Sequence, residues 1–505
     1  MNYGSPLKMV IVGGGTAGWM SAAILAHSLK SQPVDVVLLE SALISTVGVG
    51  EGSTPALKTL FDQLGITEQE WMPRCNATYK CGITFEGWST KPGFSRYYHP
   101  FASQIDSHTL PLFIANAQAR LRGFDTHAHP NRYFLSARLA DNHLAPKPHY
   151  NFPFEVHYGY HFDAALLGQF LKEKVLQMGV AHQVGTVVHI NSKDNGGIAS
   201  LLTDEGEKIE ADFFIDCSGF NGLLIQQHLK TPFESYGNAL FNDSAVAFGT
   251  KASEVLPSQT TATALMHGWA WKIPLASRTG NGYVYSSHYC SADEAELELR
   301  EHLGAKEADV DVRHLKMKVG RVKQHWSKNC LAVGLSQGFI EPLEATALFL
   351  VQQTVALFVD YFGRGNFTDK HQNDYNKRIN EQFDGVRDYV VTHYKTNSRD
   401  DTEYWRDARA NPDDISQQLR ALYQCWMSGK DLAAEVKRQK MDRFYPVPSW
   451  YCIFAGMGIF PSRDRLNAVA EPNAMEALDH FVARCALNYD SHREVLSRMR
   501  EAPVK

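Results

Sequence analysis

The feature that most constrains this chain lies in its first forty residues. A short β-branched run, Lys8-Met9-Val10-Ile11-Val12, leads straight into Gly13-Gly14-Gly15-Thr16-Ala17-Gly18, and a helical pattern follows from Trp19 to about Leu29. The glycine spacing is G-x-G-x-x-G. Gly13 permits the tight turn, Gly15 lets a pyrophosphate approach the backbone, and Gly18 allows close helix–strand packing. The helix N-terminus favours an anion, and Thr16 and Ala17 stand beside it. A second run, Val34 to Leu39, ends in Glu40, twenty-two positions after Gly18, where an acceptor for a ribose hydroxyl belongs. Strand, glycines, helix, strand and terminal acid together predict a βαβ unit of an α/β fold that binds a dinucleotide.

The fingerprint does not separate NAD from FAD. Two later segments favour FAD: Ala211 to Gly219, a strand ending at Asp216-Cys217-Ser218-Gly219, and Asn329 to Ser336, which repeats the pattern through Gly334. Strand ends that open onto small-residue turns, far apart in sequence, suit a long extended cofactor. The loop Thr46-Val47-Gly48-Val49-Gly50-Glu51-Gly52 is too glycine-rich for a plain connector and lets backbone lie close to a flavin.

The rest of the chain sets limits. Its 505 residues carry a net charge of -5, with no strongly basic stretch, so a nucleic-acid footprint is not expected. The eight cysteines are scattered, without CxxC pairs or zinc spacing, which fits reduced thiols in a cytoplasmic protein and no metal site. No apolar run is long enough to span a bilayer, and no signal-peptide arrangement opens the chain. Neither low-complexity linkers nor internal repeats divide it. We expect an FAD-binding Rossmann-like module over 1–360, with a substrate-side insertion near 80–155. A mostly helical substrate-side module over 361–505, with periodic stretches at Asp413 to Trp426 and Ala474 to Leu487, packs on it as one body.

One further segment stands out: Gly268-Trp269-Ala270-Trp271-Lys272-Ile273-Pro274. In a strand, Trp269, Trp271 and Ile273 share a face, and Pro274, which cannot donate a ladder hydrogen bond, ends it. Taken alone this reads as an aromatic core strand. Thr78 to Phe85 also alternates as one strand, with Tyr79, Cys81, Ile83 and Phe85 on one face and Lys80, Gly82 and Thr84 on the other.

With these residues in view the chain resembles the flavin-dependent tryptophan halogenases. The matching stretches are Gly13 to Met20, Gly48 to Glu51, Trp71 to Pro73, His161 to Asp163, Asp216 to Gly219, Gly268 to Pro274, Glu341 to Glu344 and Tyr451 to Gly456. The resemblance implies that FADH2 from a separate flavin reductase, O2 and a halide ion (chloride or bromide) give hypohalous acid. Lys80, at the family's essential lysine position, then directs that oxidant to an aromatic ring. Glu344 matches the glutamate that steadies the ring cation and helps remove its proton. Thr346 and Ala347 match backbone that holds halide, and His99 and Phe101 match the pair that stacks on an indole. Trp269, Trp271, Ile273 and Pro274 form the wall between flavin and ring. Gly13, Gly15, Thr16, Ala17, Gly18, Glu40, Gly50, Glu51, Asp216 and Gly334 fall to the cofactor.

Two departures qualify this. Tryptophan halogenases typically read Glu-Ser-Thr-Gly, whereas this chain reads Glu344-Ala345-Thr346-Ala347. Their Tyr-Tyr…Glu block, which grips the amino acid's charges, has no counterpart before Tyr451, where Lys437-Arg438-Gln439-Lys440 and Arg443 stand instead. A buried zwitterion needs both charges paired. We therefore expect an indole or another electron-rich aromatic rather than free tryptophan. The alternatives are an FAD-dependent aromatic hydroxylase, against which the tryptophan wall and Lys80 argue, and a non-catalytic FAD-binding protein. Oligomeric state stays open, a homodimer included.

Overall fold

A central six-stranded sheet carries the predicted βαβ unit. The computed structural model describes residues 6–42, 50–149, 151–306, 309–410, 415–468 and 472–501. In spatial order the sheet runs Trp326–Ser327, Cys330–Ala332, Phe213–Asp216, Leu7–Val12, Val34–Glu40 and Ala181–Val184. All neighbours are parallel except the edge pair of Trp326–Ser327 with Cys330–Ala332. A parallel sheet is covered on both faces, which is why Met9 to Val12 is an unbroken buried run instead of alternating. Helix Thr16–Ser28 lies on one face between helices Ala164–Gln177 and Ala347–Arg364. Register brings Val12, Leu39, Asp216 and Ala332 to one level at the C-terminal edge.

A second, seven-stranded sheet runs Arg313–Lys316, Ser244–Lys251, Arg278–Tyr285, Gly268–Pro274, Thr260–Leu265, Gly82–Glu86 and Arg96–Pro100. A small sheet of Gly50–Gly52, Gly159–Asp163 and Thr78–Lys80 joins it. The single strand expected over Thr78 to Phe85 is therefore two. Lys80 pairs with Gly159 in the small sheet, while Gly82 pairs with Pro100 in the large one. Between them the Cys81 N–H leaves both ladders and donates to the Ser258 carbonyl at 2.6 Å. Period-two alternation continues across such a sheet change, so the pattern gives no sign of it.

The C-terminal region is helical, with helices Gln372–Thr396, Glu403–Ala410, Gln417–Met427, Leu432–Arg438, Val447–Gly456, Pro472–Ala486 and His492–Glu501. The stretch expected from Asp413 begins at Gln417; residues 411–414 lie outside those described. In the longest helix, Val386 to Thr396 is buried except Arg387, so its last three turns face the interior and bring Tyr389, His393 and Tyr394 inward. A short strand, Tyr489–Ser491, pairs with Leu144–Pro148 and ties the chain's end to the 80–155 region. All eight cysteines are free thiols, and no helix among the described residues is long and apolar enough to cross a membrane.

Candidate active site

The dinucleotide cradle is built as the glycine pattern requires. Gly13 sits at φ +119°, and a Cβ there would lie 2.3 Å from the Cys217 carbonyl oxygen; at Gly18 it would lie 1.9 Å from the Gly13 oxygen. Gly15 caps helix Thr16–Ser28 without any side chain, and no acidic residue occupies the first turn, so its N–H groups face an anion site unobstructed. The Thr16 hydroxyl donates to the Ala164 carbonyl, tying the two helices together. Glu40 Oε1 is held by Lys172 at 2.6 Å and His182 at 2.8 Å, which leaves Oε2 beside Gly14. Gly334, at φ +72°, packs on Ala17 and completes the crevice between three strand ends. These residues fit FAD. Asp216 fits differently from expectation: its carboxylate accepts from Ser218, Leu224 and Ile225 N–H groups and from the Ser218 hydroxyl, so it shapes the turn beside the crevice from within. Of the glycine-rich loop, residues 46–49 lie outside those described; Gly50 and Glu51 begin the small sheet. Burial, with the Asp163 charge adding to it, pushes Glu51 up to about 7.

The tryptophan strand matches the sequence reading in register and extent. Its face begins at Ile273, where a Cβ on Gly50 would touch Ile273 and Leu275, continues with Trp271 and ends at Trp269. The two indoles lie 6.1 Å apart, centroid to centroid, tilted by 57°. Trp271 lies directly over Gly282 of the neighbouring strand, where a Cβ would come within 2.0 Å of the ring. The Trp269 Nε1–H donates to Glu341 Oε2 at 2.7 Å, and the same oxygen accepts from Asn242 and from the Tyr394 hydroxyl. Burial raises the Glu341 pKa, and these three donors partly offset it. The indoles thus fill the stretch between the Gly50–Gly52 strand and the Glu341–Glu344 loop.

Lys80 is fully buried, and its Nζ has no hydrogen-bond partner among the described residues. It lies 5.5 Å from the centre of the Phe101 ring. Burial pulls the ammonium down from its ordinary 10.5 to about 7, with the Glu344 charge opposing. Glu344 is also buried. It sits in the 3-10 turn Pro342–Glu344, and the chain then passes through Ala345 in the left-handed region (φ 55°) before helix Ala347–Arg364 begins at the Thr346 cap. His99 Nδ1–H donates to Glu344 Oε2 at 2.8 Å, and His99 Nε2 shares a hydrogen bond with the Ser449 hydroxyl at 2.8 Å. His393 Nε2 lies 3.1 Å from Glu344 Oε1, within ion-pair distance but not aligned for a hydrogen bond. Burial alone would raise the Glu344 pKa; His99 and His393 outweigh it and hold the carboxylate down at about 2.

His99 is thus placed as a partner of Glu344, with Phe101 beside Lys80. Thr346 is buried and Ala347 exposed at the helix start, where the first-turn N–H groups have no intrahelical acceptor and no side-chain cap. The basic residues at 437–443 do not replace an amino-acid clamp. Lys437, Arg438, Lys440 and Arg443 are exposed, and Arg438 is paired with Glu435. Tyr445 instead turns inward and stacks on Tyr389 at 3.6 Å. Sequence reading missed Glu341, Asn242, Tyr389, Tyr394, His393 and Ser449 as parts of this site. Only Glu341, which lies three residues before Glu344, had a local signal.

A buried lysine and a carboxylate held between histidines, in one fold with a double indole and a dinucleotide cradle, suit a flavoprotein that makes an oxidant in one place and uses it in another. That class is the flavin-dependent halogenases. Residues 8–472 match the family model described as tryptophan halogenase, and the chain belongs to that family. It is 39% identical to tryptophan 6-halogenase SttH of Streptomyces toxytricini over 83% of this chain and 84% of that one. It is 35% identical to 7-chloro-L-tryptophan 6-halogenase KtzR of Kutzneria sp. over 98% and 100%. Among solved structures, Tar14, a tryptophan C-6 flavin-dependent halogenase (chlorinase) from taromycin biosynthesis, superposes with a TM-score of 0.85 at 34% identity, covering 98% of this chain and 100% of that one. The chain is accordingly an FAD- and halide-using oxidoreductase.

Proposed function

We propose that this halogenase delivers hypohalous acid through Lys80 to an indole or another electron-rich aromatic lacking tryptophan's charged groups. The observation that carries the delivery step is the buried Lys80 nitrogen, free of protein partners and lowered to about 7. Near neutral pH both its forms are populated: the ammonium polarises hypohalous acid as an electrophile, and the amine accepts halogen. When bound, reduced FAD supplies that acid from O2 and a halide ion, for which the N–H groups at Thr346 and Ala347 are the anchoring site. Gly13, Gly15, Thr16, Ala17, Gly18 and Gly334 hold the dinucleotide, with Glu40 on its ribose.

Glu344, ionised at every working pH, stabilises the ring cation by its charge, and takes up the ring proton only in passing because it is so weak a base. Trp269, Trp271, Ile273 and Pro274 keep the ring from the flavin. Exposed basic residues and a Tyr389–Tyr445 stack, in place of a Tyr-Tyr…Glu clamp, support a ring without a zwitterion. Reduced flavin comes from a separate reductase, as in the family. The division at about residue 360 into a cofactor module and a helical module, and a homodimeric state, belong to the same reading.

The test supplies the purified protein with FAD, a flavin reductase, NADH and chloride or bromide, with indoles, phenols and tryptophan read by mass spectrometry. Halogenated indole or phenol in preference to tryptophan is expected. Hydroxylated products instead would sink the reading. Lys80→Ala should abolish ring halogenation while hypohalous acid still appears in solution; full regioselective activity in that variant would remove the lysine's role.

A further inference from the structure

Beside Lys80 lies a cradle outside the groups considered so far. Gly52, in the small sheet, faces it. A Cβ added at Gly52 would lie 3.4 Å from Lys80 Nζ, 3.6 Å from Thr260 Oγ1 and 3.6 Å from His161 Cδ2. Those are ordinary contact distances, so Gly52 puts no side chain between the lysine nitrogen and the threonine hydroxyl, and both lie within 3.6 Å of one point beside its Cα. The lysine nitrogen is buried and unpartnered.

The proton positions around this space follow from the hydrogen bonds. Thr78 Oγ1 donates its one proton to the Pro274 carbonyl at 2.6 Å, since a carbonyl can only accept. Towards His161 Nδ1, at 3.2 Å, Thr78 therefore accepts, which puts the imidazole proton on Nδ1. His161 is buried, and burial, with Lys80 and His492 nearby, holds its pKa well below the usual range, so the ring is neutral. Its Nε2 is then an acceptor, and the Thr260 hydroxyl, 2.8 Å away, donates to it. The chain Pro274–Thr78–His161–Thr260 leaves Thr260 Oγ1 with lone pairs only. Opposite them stand the N–H bonds of Lys80.

We propose that Gly52, Thr260 and Lys80 form the receiving site for hypohalous acid, whose O–H donates to Thr260 Oγ1 while its oxygen accepts from Lys80. A group that is donor and acceptor at one oxygen fits; a halide ion, which can only accept, is repelled by the threonine lone pairs. His161 is the positioning residue that turns the hydroxyl. This rests on the halogenase reading above and adds a residue pair that retains the oxidant.

The test uses the FAD-loaded protein with reductase, NADH, bromide and indole, with monochlorodimedone present to trap oxidant that escapes. Ring product and trapped halogen are both counted per flavin reoxidised. In Thr260→Val and Gly52→Ala, ring product per flavin should fall about tenfold, as expected for one lost hydrogen bond at the reacting atom. Trapped halogen should rise to match. Thr260→Ser keeps the hydroxyl and should restore the native partition. Flavin fluorescence and melting curves identify a variant that has lost its fold, and the two substitutions lie on different strands, so one serves where the other fails. A native partition in Thr260→Val and Gly52→Ala, as for a space that holds only water, overturns the cradle, as does a Thr260→Ser no better than Thr260→Val. A native protein that gives neither brominated indole nor trapped halogen overturns the halogenase reading along with it.

Discussion

At the residue scale the site depends on two buried charges with opposite histories. Lys80 is destabilising as an ammonium, because nothing solvates it. Its folded-state value of about 7 against 10.5 means the unfolded chain binds more protons between those pH values, so its cost is full below pH 7 and vanishes as pH rises through 10.5. Lys80→Met should therefore stabilise the protein by something of the order of 4 kcal/mol at pH 6, a figure already net of the attraction to Glu344, and by much less at pH 9. Denaturant midpoints at the two pH values check this; an unchanged gain at pH 9 would mean that the nitrogen is not desolvated. Glu344 is the reverse case, stabilised as an anion by His99 and His393. Glu344→Gln keeps the shape and removes the charge. On its proposed role of steadying the ring cation, turnover should fall about 100-fold with FAD binding intact. An unchanged rate in single-turnover measurements would exclude that role.

At the scale of elements, the tryptophan strand is fixed from two sides. Glu341 holds Trp269 by its N–H, and Gly282 leaves the floor on which Trp271 lies. Gly282→Ala places a methyl against that ring and forces it to turn, an overpacking that costs about 1–3 kcal/mol. The expected result is a lower melting temperature together with a several-fold loss of ring product per flavin reoxidised; native coupling would take Trp271 off the oxidant's path. How much of this could be read from sequence depends on range. The βαβ unit, the shared face of the two indoles and Lys80's place in a strand are local patterns, and each appears in the structure. The break at Cys81 is not local, since alternation looks the same on either side of it. Nor are His393 and Tyr394, which the helix's periodic pattern presents as ordinary interior residues of its last turn. Only the docking of helix Gln372–Thr396 sets them against Glu344 and Glu341.

For the whole molecule, several buried histidines set the acid limit. Burial lowers His129 and His492 to about 4 and His325 to about 3, with His161 lower still than usual. Each is neutral when folded and charged when unfolded below about pH 6.5, so stability falls as pH drops through that value. Glu51 and Asp106, both raised to about 7, act in the opposite sense between pH 7 and about 4, because they bind protons in the fold first. Below about 4.5 that opposition fades, and the unfolded chain's Glu344 takes up a proton that the folded carboxylate, held at about 2, does not, so the decline steepens. Melting temperatures should fall gently from pH 6.5 to 4.5 and sharply beneath, and a flat profile to pH 4 would show that the histidines are solvated. One consequence concerns engineering. Because the chain changes sheets at Cys81, Lys80 is anchored to one framework while Phe85, Tyr97 and His99 belong to another. On the roles proposed above, a library that recasts the second for a new ring leaves the nozzle that feeds it where it is, so acceptor scope and oxidant supply are separately evolvable.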